Sequence, residues 1–423
     1  VAVAAAEPHS QERVMSIESE LKNLPDLRLL AAAPHRLMFF VGAGNVLLAM
    51  AWWTFWLINS RWPLLDAPQL AIPAGWMHAL IMQYQVLPSF IFGFLLTVFP
   101  RWMGLPAFSR WQYVPVGFGL LAGQALTLVS LFGIEHLLFL GWLLTLAGWL
   151  TGVVYLAILL WRDPNTTWHA ISAFAALLLG LIGIGLVFAY LFSRDPHWMF
   201  AAIKFGGFGL LLPVYVTVCH RMLPFFAGAA LPGYRAYRPM PALGVFWLLA
   251  MAHLGLELAH AYAGLWLVDL PLAALSGWLL WRWWPRRRMP ALLSVLMFGF
   301  AWLPVAALLY ALQSLWLVNT GEFLLGRAPA HALFIGFFGS LLVAMVTRVT
   351  QGHSGRPLQL GGVAAFAFIV VQLAAVARIG AELAPDILLW HGAAGLLWLL
   401  AFLPWGLRSL WIYLTPRADG QPG

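Results

Sequence analysis

The chain has 423 residues, of which 62% are hydrophobic and only 9% charged, with a formal net charge of +8. Soluble domains carry roughly 25% charged residues, so this composition excludes a water-soluble globular protein. The arginines are scattered between apolar blocks, which points away from nucleic acid and makes membrane lipid the surrounding partner.

The first 35 residues are polar and mixed in charge, with no apolar core of a signal sequence; they are expected to form a cytoplasmic tail. Apolar blocks of about 20 residues follow, the length that crosses ~30 Å of hydrocarbon as a helix. The blocks are continuous and do not alternate with period two, so the fold class is all-α, a polytopic bundle and not a barrel. Twelve spans are predicted: 38–58, 76–99, 114–133, 137–160, 168–192, 198–219, 242–262, 265–284, 290–318, 329–349, 361–382 and 386–413. Together they form one transmembrane domain over 36–414, followed by a short cytoplasmic tail over 415–423. Loops carry breakers such as Pro63, Pro68, Pro73, Pro285 and Pro329. The cation bias is strong: eighteen lysines and arginines, from Arg13 and Lys22 to Arg408 and Arg417, fall on one side. Only Arg61, Arg194, Arg327 and Arg378 fall on the other. The positive-inside rule then predicts both termini on the cytoplasmic side. Cys219 is the sole cysteine, so no internal disulfide forms.

The second, sixth and tenth spans echo one another. Each runs from an outer-end histidine (His78, His197, His331) to an inner-end arginine (Arg101, Arg221, Arg348), a period of four that hints at a triplicated four-helix unit.

Ionisable groups inside hydrocarbon are costly and therefore functional candidates. His78, His331 and His391 lie near outer helix ends, beside glycine- and phenylalanine-rich runs that suit a flat macrocycle such as haem. The alternative is an interfacial histidine beside ordinary glycine packing. On the seventh span, His253, Glu257 and His260 recur at i, i+4 and i+7, one helix face, and a Glu-x-x-His pair can hold a metal such as copper. His391 is a further ligand candidate there; the alternative is a wet helix end. At the inner face His220, Arg221, Arg348, His353 and Arg356 form a basic cluster able to hold haem propionates or another anion, or simply a positive-inside flank. Lys204 sits inside the sixth span and, with Glu257, is a candidate catalytic or proton-relay residue. No phosphate-binding glycine loop and no Cys-x-x-Cys-His is present, so any haem would be non-covalent, of b type.

Two longer motifs carry a family resemblance. The stretch His331-Ala332-Leu333 through Thr347-Arg348-Val349 to Gly352-His353-Ser354-Gly355-Arg356-Pro357-Leu358, and the stretch Gly93-Phe94-Leu95-Leu96-Thr97-Val98-Phe99-Pro100-Arg101-Trp102-Met103-Gly104, resemble signatures of the NnrS family. Arg221 to Phe226, and His391 with Trp398 and Phe402, are partial matches. The resemblance implies a twelve-helix inner-membrane protein containing haem and copper and linked to the bacterial nitric oxide response. The chain departs from the family where Leu80 and Ile81 replace a histidine and a glutamate of the second helix, and where His220 replaces a glycine before Arg221. It thus looks like a divergent branch whose metal content differs. A looser architectural likeness is to haem-copper oxidases and nitric oxide reductases; the placement of His78, His331 and His253 echoes theirs, without the twin histidines of their seventh helix. Three functions follow as expectations: a haem, or haem-copper, protein that binds or detoxifies nitric oxide; a nitric oxide reductase, an oxidoreductase needing an electron donor; and a cofactor-free transporter lined by Lys204 and Glu257.

Overall fold

A computed structural model describes residues 24–66 and 72–421; Arg13, Lys22 and Pro68 lie outside the described residues. The described chain is helical throughout. Its long helices are α1 Pro34–Arg61, α2 Ala74–Met103, α3 Arg110–Ser130, α4 His136–Trp161, α5 Trp168–Ser193, α6 Pro196–Ala230, α7 Met240–Leu258, α8 Trp266–Trp283, α9 Ala291–Thr320, α10 Ala328–His353, α11 Gly362–Leu383 and α12 Ile387–Leu414. All except α8 are long and apolar enough to cross a membrane; α8 has 18 residues and carries Asp269, Pro271 and Arg282.

The two described ends lie side by side. Asp26 donates its backbone N–H to the Leu414 carbonyl at 2.8 Å. Arg36, at the start of α1, donates to the carbonyls of Tyr413 (3.1 Å) and Thr415 (3.0 Å). Ends on one side require an even number of crossings, so α8 is the twelfth span despite its polar residues. At 1.5 Å per residue it is about 27 Å long, at the short end of the roughly 17–25 residues that span a hydrocarbon core.

Successive helices pack in pairs, and α12 closes back on α1. The innermost helices are α2, α6 and α10: 94%, 67% and 78% of their most apolar stretches are buried, against 61% or less in the other spans. The period of four in the sequence echo is therefore also a period of burial. The same three helices each widen into a π-helical segment, over Met82–Val86, Phe205–Leu211 and Ala332–Gly339. In α2 and α6 a proline follows two residues later, Pro88 and Pro213. A proline cannot donate to the carbonyl four residues back and its ring pushes that carbonyl away. The released Tyr84 carbonyl instead accepts from the Trp149 indole of α4 at 2.9 Å. In α10 no proline intervenes; there Trp302 packs where a side chain at Gly336 would stand, with 2.5 Å to the site of a Cβ.

Lipid-facing surfaces follow from the same composition. Leu121, Leu143, Leu150, Val154, Leu248 and Ile369 are exposed along the outer faces, and Trp111, Trp161, Trp168 and Trp281 at helix ends, the place of an aromatic belt. The tightest pair is α3 with α4. A Cβ on Gly119 would stand 2.7 Å from the Gly148 Cα and from the Leu144 carbonyl, both backbone. Gly119→Val is therefore expected to force the pair apart, at a cost of roughly 1–3 kcal/mol typical of overpacking, seen as a lower thermal midpoint of the detergent-solubilised protein. An unchanged midpoint would show that this approach is not needed.

Candidate functional site

At the bundle end opposite the two chain termini, three helices each bring a histidine to the same region, without the three forming a metal-holding group. His78 of α2 stacks flat on Trp53 of α1, centroids 4.5 Å apart and planes 6° from parallel. His331 of α10 has Nδ1 3.0 Å from the Arg327 carbonyl. A carbonyl only accepts, so Nδ1 carries the proton and Nε2 keeps the lone pair, the arrangement that orients imidazoles toward iron or another metal. His391 of α12 has a buried Nε2 without a hydrogen-bond partner, 3.6 Å from Glu382 Oε1. Glu382 in turn is clamped by Arg378 at 2.5 Å, one helical turn earlier on α11. His78, His391 and Arg378 are the titratable and charged groups that surround His331. Haem iron takes one or two imidazole nitrogens, and an oriented His331 with an unpartnered His391 nitrogen nearby fits that need.

A second polar centre lies within α6 to α9. Lys204 Nζ is 2.7 Å from Glu257 Oε2, and Glu257 Oε1 is 3.6 Å from His253 Nε2. His253 Nδ1 is 2.7 Å from Asp269 Oδ1 on α8. Phe208, in the π segment of α6, lies against the His253 ring at 3.9 Å, and Tyr310 of α9 meets it edge-on at 4.9 Å. The sequence named Lys204 and Glu257 as separate catalytic candidates, and the structure brings them into direct contact; Asp269, which the sequence reading passed over, completes the chain of charges.

The three-residue face predicted on α7 is not formed. The helix ends at Leu258, and His260 adopts a left-handed backbone, φ +54°. His260 N–H bonds to the Glu257 carbonyl and Ala261 N–H to the Leu256 carbonyl, a Schellman closure of the helix. The His260 ring therefore turns away, onto Phe200 and toward the Tyr262 hydroxyl at 2.9 Å. His391 belongs with His331 and Glu382, not with His253. What remains is His253 and Glu257, with the Lys204 ammonium already on the carboxylate. Among the described residues no group of three or more His, Cys, Asp or Glu side chains is gathered to hold a metal ion. The residues thus do not fit the copper site expected from His253, Glu257, His260 and His391.

The basic cluster also divides. His220 pairs with His169 of α5, Nδ1 to Nε2 at 2.9 Å. His353 faces His35 of α1, ring centroids 4.3 Å apart. Arg221 lies over Trp102 at 4.3 Å and Arg348 over Phe226 at 4.0 Å, cation–π contacts that settle guanidinium groups near an apolar boundary. Arg356, in the loop after α10, has its ordinary guanidinium value lowered by burial and by nearby Arg408. His331 and Arg348 are separated by seventeen residues of α10, about 25 Å. A haem on His331 cannot place its propionates on Arg348, so the predicted cofactor residues form two sites, not one.

Between the two ends, α1, α2, α6 and α10 line a partly open apolar cavity of about 60 Å³, with residues such as Phe90, Phe94, Val214, Cys219, Leu342 and Met345. It has room for a diatomic molecule but not for a macrocycle.

The NnrS protein family model matches residues 29–417. The chain belongs to the NnrS family. No curated protein matches it. As an NnrS protein it is a multi-pass membrane protein linked to the nitric oxide response. The match covers both ends of the bundle and all twelve helices. Within this NnrS chain the sequence reading missed Asp269, His35, His169, Arg378 and Glu382. Asp269 and Arg378 left a signal: charged residues inside predicted apolar spans.

Proposed function

We propose that this protein binds nitric oxide at a non-covalent haem of b type, held at the end of the bundle remote from the chain termini. The observation that carries this reading is His331, whose Nδ1 is tied to the Arg327 carbonyl with Nε2 left free, at the same bundle end as His78 and His391. Ferrous haem supplies tight, reversible coordination of nitric oxide. The protein's part is to fix the imidazoles, to stack Trp53 against His78 and to hold Arg378 near the site through Glu382. The apolar cavity among α1, α2, α6 and α10 adds lipid-phase room for a small uncharged ligand. A reductase coupling two nitric oxide molecules needs a second metal beside the haem, and the failed three-residue face on α7 weighs against it; binding or detoxification at haem alone is favoured. A cofactor-free transporter leaves the oriented His331 without a role. The purified chain is expected to carry haem that acid–acetone extracts; protein purified from haem-sufficient cells without any would overturn the reading.

The basic end, with both termini, is proposed to face the cytoplasm of a bacterial inner membrane. A phosphatase fused after Arg417 should be inactive and a fluorescent protein there bright. Active phosphatase at that position would invert the topology and put the histidine group on the cytoplasmic side.

A further inference from the structure

The Lys204–Glu257–His253–Asp269 chain is enclosed: the side chains of His253 and Asp269 are 1% exposed, that of Glu257 3% and that of Lys204 22%. Two carboxylates and one ammonium sum to one uncompensated negative charge, and an uncompensated charge at such burial inside a membrane costs several kcal/mol. One further positive charge must balance it. Among the described residues, the groups that face the site are Lys204 from α6, Asp269 from α8, Tyr310 from α9 and Tyr262 from the turn after α7, and none of them offers a second cation.

We infer that His253, Glu257 and Asp269 jointly hold one exchangeable proton, and that this proton site opens through Lys204 to the bundle end remote from the chain termini. His253 is the natural holder, because its two nitrogens face the two carboxylates, at 2.7 Å and 3.6 Å. An imidazolium donates from both nitrogens, whereas a neutral ring leaves one carboxylate facing a lone pair. His253 Nε2 and Asp269 Oδ2 lack a hydrogen-bond partner, and Glu257 Oε2 has only the Lys204 ammonium at 2.7 Å. The set therefore has spare capacity to move the proton: from the partly exposed side at Lys204 to Glu257, from Glu257 to His253 Nε2, and from His253 Nδ1 to Asp269, one proton entering and none created. Phe208 and Tyr310 close the other sides of the imidazole. Tyr262, hydrogen-bonded to His260, lies at the mouth. The inference does not depend on haem or on nitric oxide.

The test uses the full chain in lipid nanodiscs at neutral pH. Nitrogen-15 histidine resonances and infrared carboxylic C=O bands together report where the proton sits. The parent should show one proton per chain on this set, as a His253 imidazolium or as a carboxylic acid of Glu257 or Asp269, and the signal should respond to deuterium oxide. Glu257→Gln removes one negative charge and should remove that signal. Asp269→Asn, the second variant should Glu257→Gln fail to fold, should do the same. Glu322→Gln, on the exposed segment after α9, should leave it unchanged. The inference is overturned if the parent shows neither signal, if the signal survives both carboxylate substitutions, or if deuterium oxide does not reach it.

Discussion

His331→Ala is expected to leave the purified protein with less than a tenth of the parent haem. A methyl group cannot replace an imidazole ligand, and even outer groups that only orient such ligands are typically worth 10–100-fold in affinity. His331 is singled out from the three outer histidines because its Nδ1 is anchored on the Arg327 carbonyl, which sets the other nitrogen before any ligand arrives. His78→Ala should weaken haem retention or shift its absorption, since His78 is held flat by Trp53 and shares the same end. His353→Ala is the control. It sits at the opposite end of α10 beside His35 and should retain haem fully. Haem extracted per mole of chain decides the matter. Parent-level haem in both His331→Ala and His78→Ala would remove this group from consideration, and loss only in His353→Ala would move the site to the basic end.

The second large effect concerns stability. Lys204→Met is expected to destabilise the fold by about 3–5 kcal/mol, the usual result of stripping one partner from a buried ion pair. It leaves Glu257 and Asp269 with a single imidazole between them. Lys204→Met combined with Glu257→Gln should recover most of that loss, because the remaining Asp269 and His253 can balance one another. The pattern is measured as unfolding midpoints in mild detergent across the single and double variants. Losses that simply add would mean that Lys204 and Glu257 do not act on each other, contrary to their 2.7 Å approach.

How much of this was legible in the sequence depends on what kind of statement is made. Span count and the shared side of the two ends were read from block length and arginine distribution, and the pairing of Asp26 with Leu414 agrees. The echo of α2, α6 and α10, three helices at a spacing of four, was visible as histidine-to-arginine runs. Their π segments were not, although Pro88 and Pro213 mark two of them in hindsight. Lys204 and Glu257 each stood out as an ionisable group inside or beside a span, but their contact was not readable, because no local pattern joins α6 to α7. The i, i+4, i+7 face failed for a local reason. Periodicity assumes that the helix continues, and His260 ends it in a left-handed turn without the glycine that usually announces one. The pairs His35–His353 and His169–His220 join residues far apart in the chain, and no local pattern encodes them.

The most direct test of the central claim is the absorption spectrum of the dithionite-reduced full chain in nanodiscs, before and after one equivalent of nitric oxide. A Soret band that shifts on addition, with one haem per chain at saturation, is the predicted result. A protein that retains its fold and its nanodisc but shows no Soret band after haem supplementation, or a band that nitric oxide leaves in place, would contradict it.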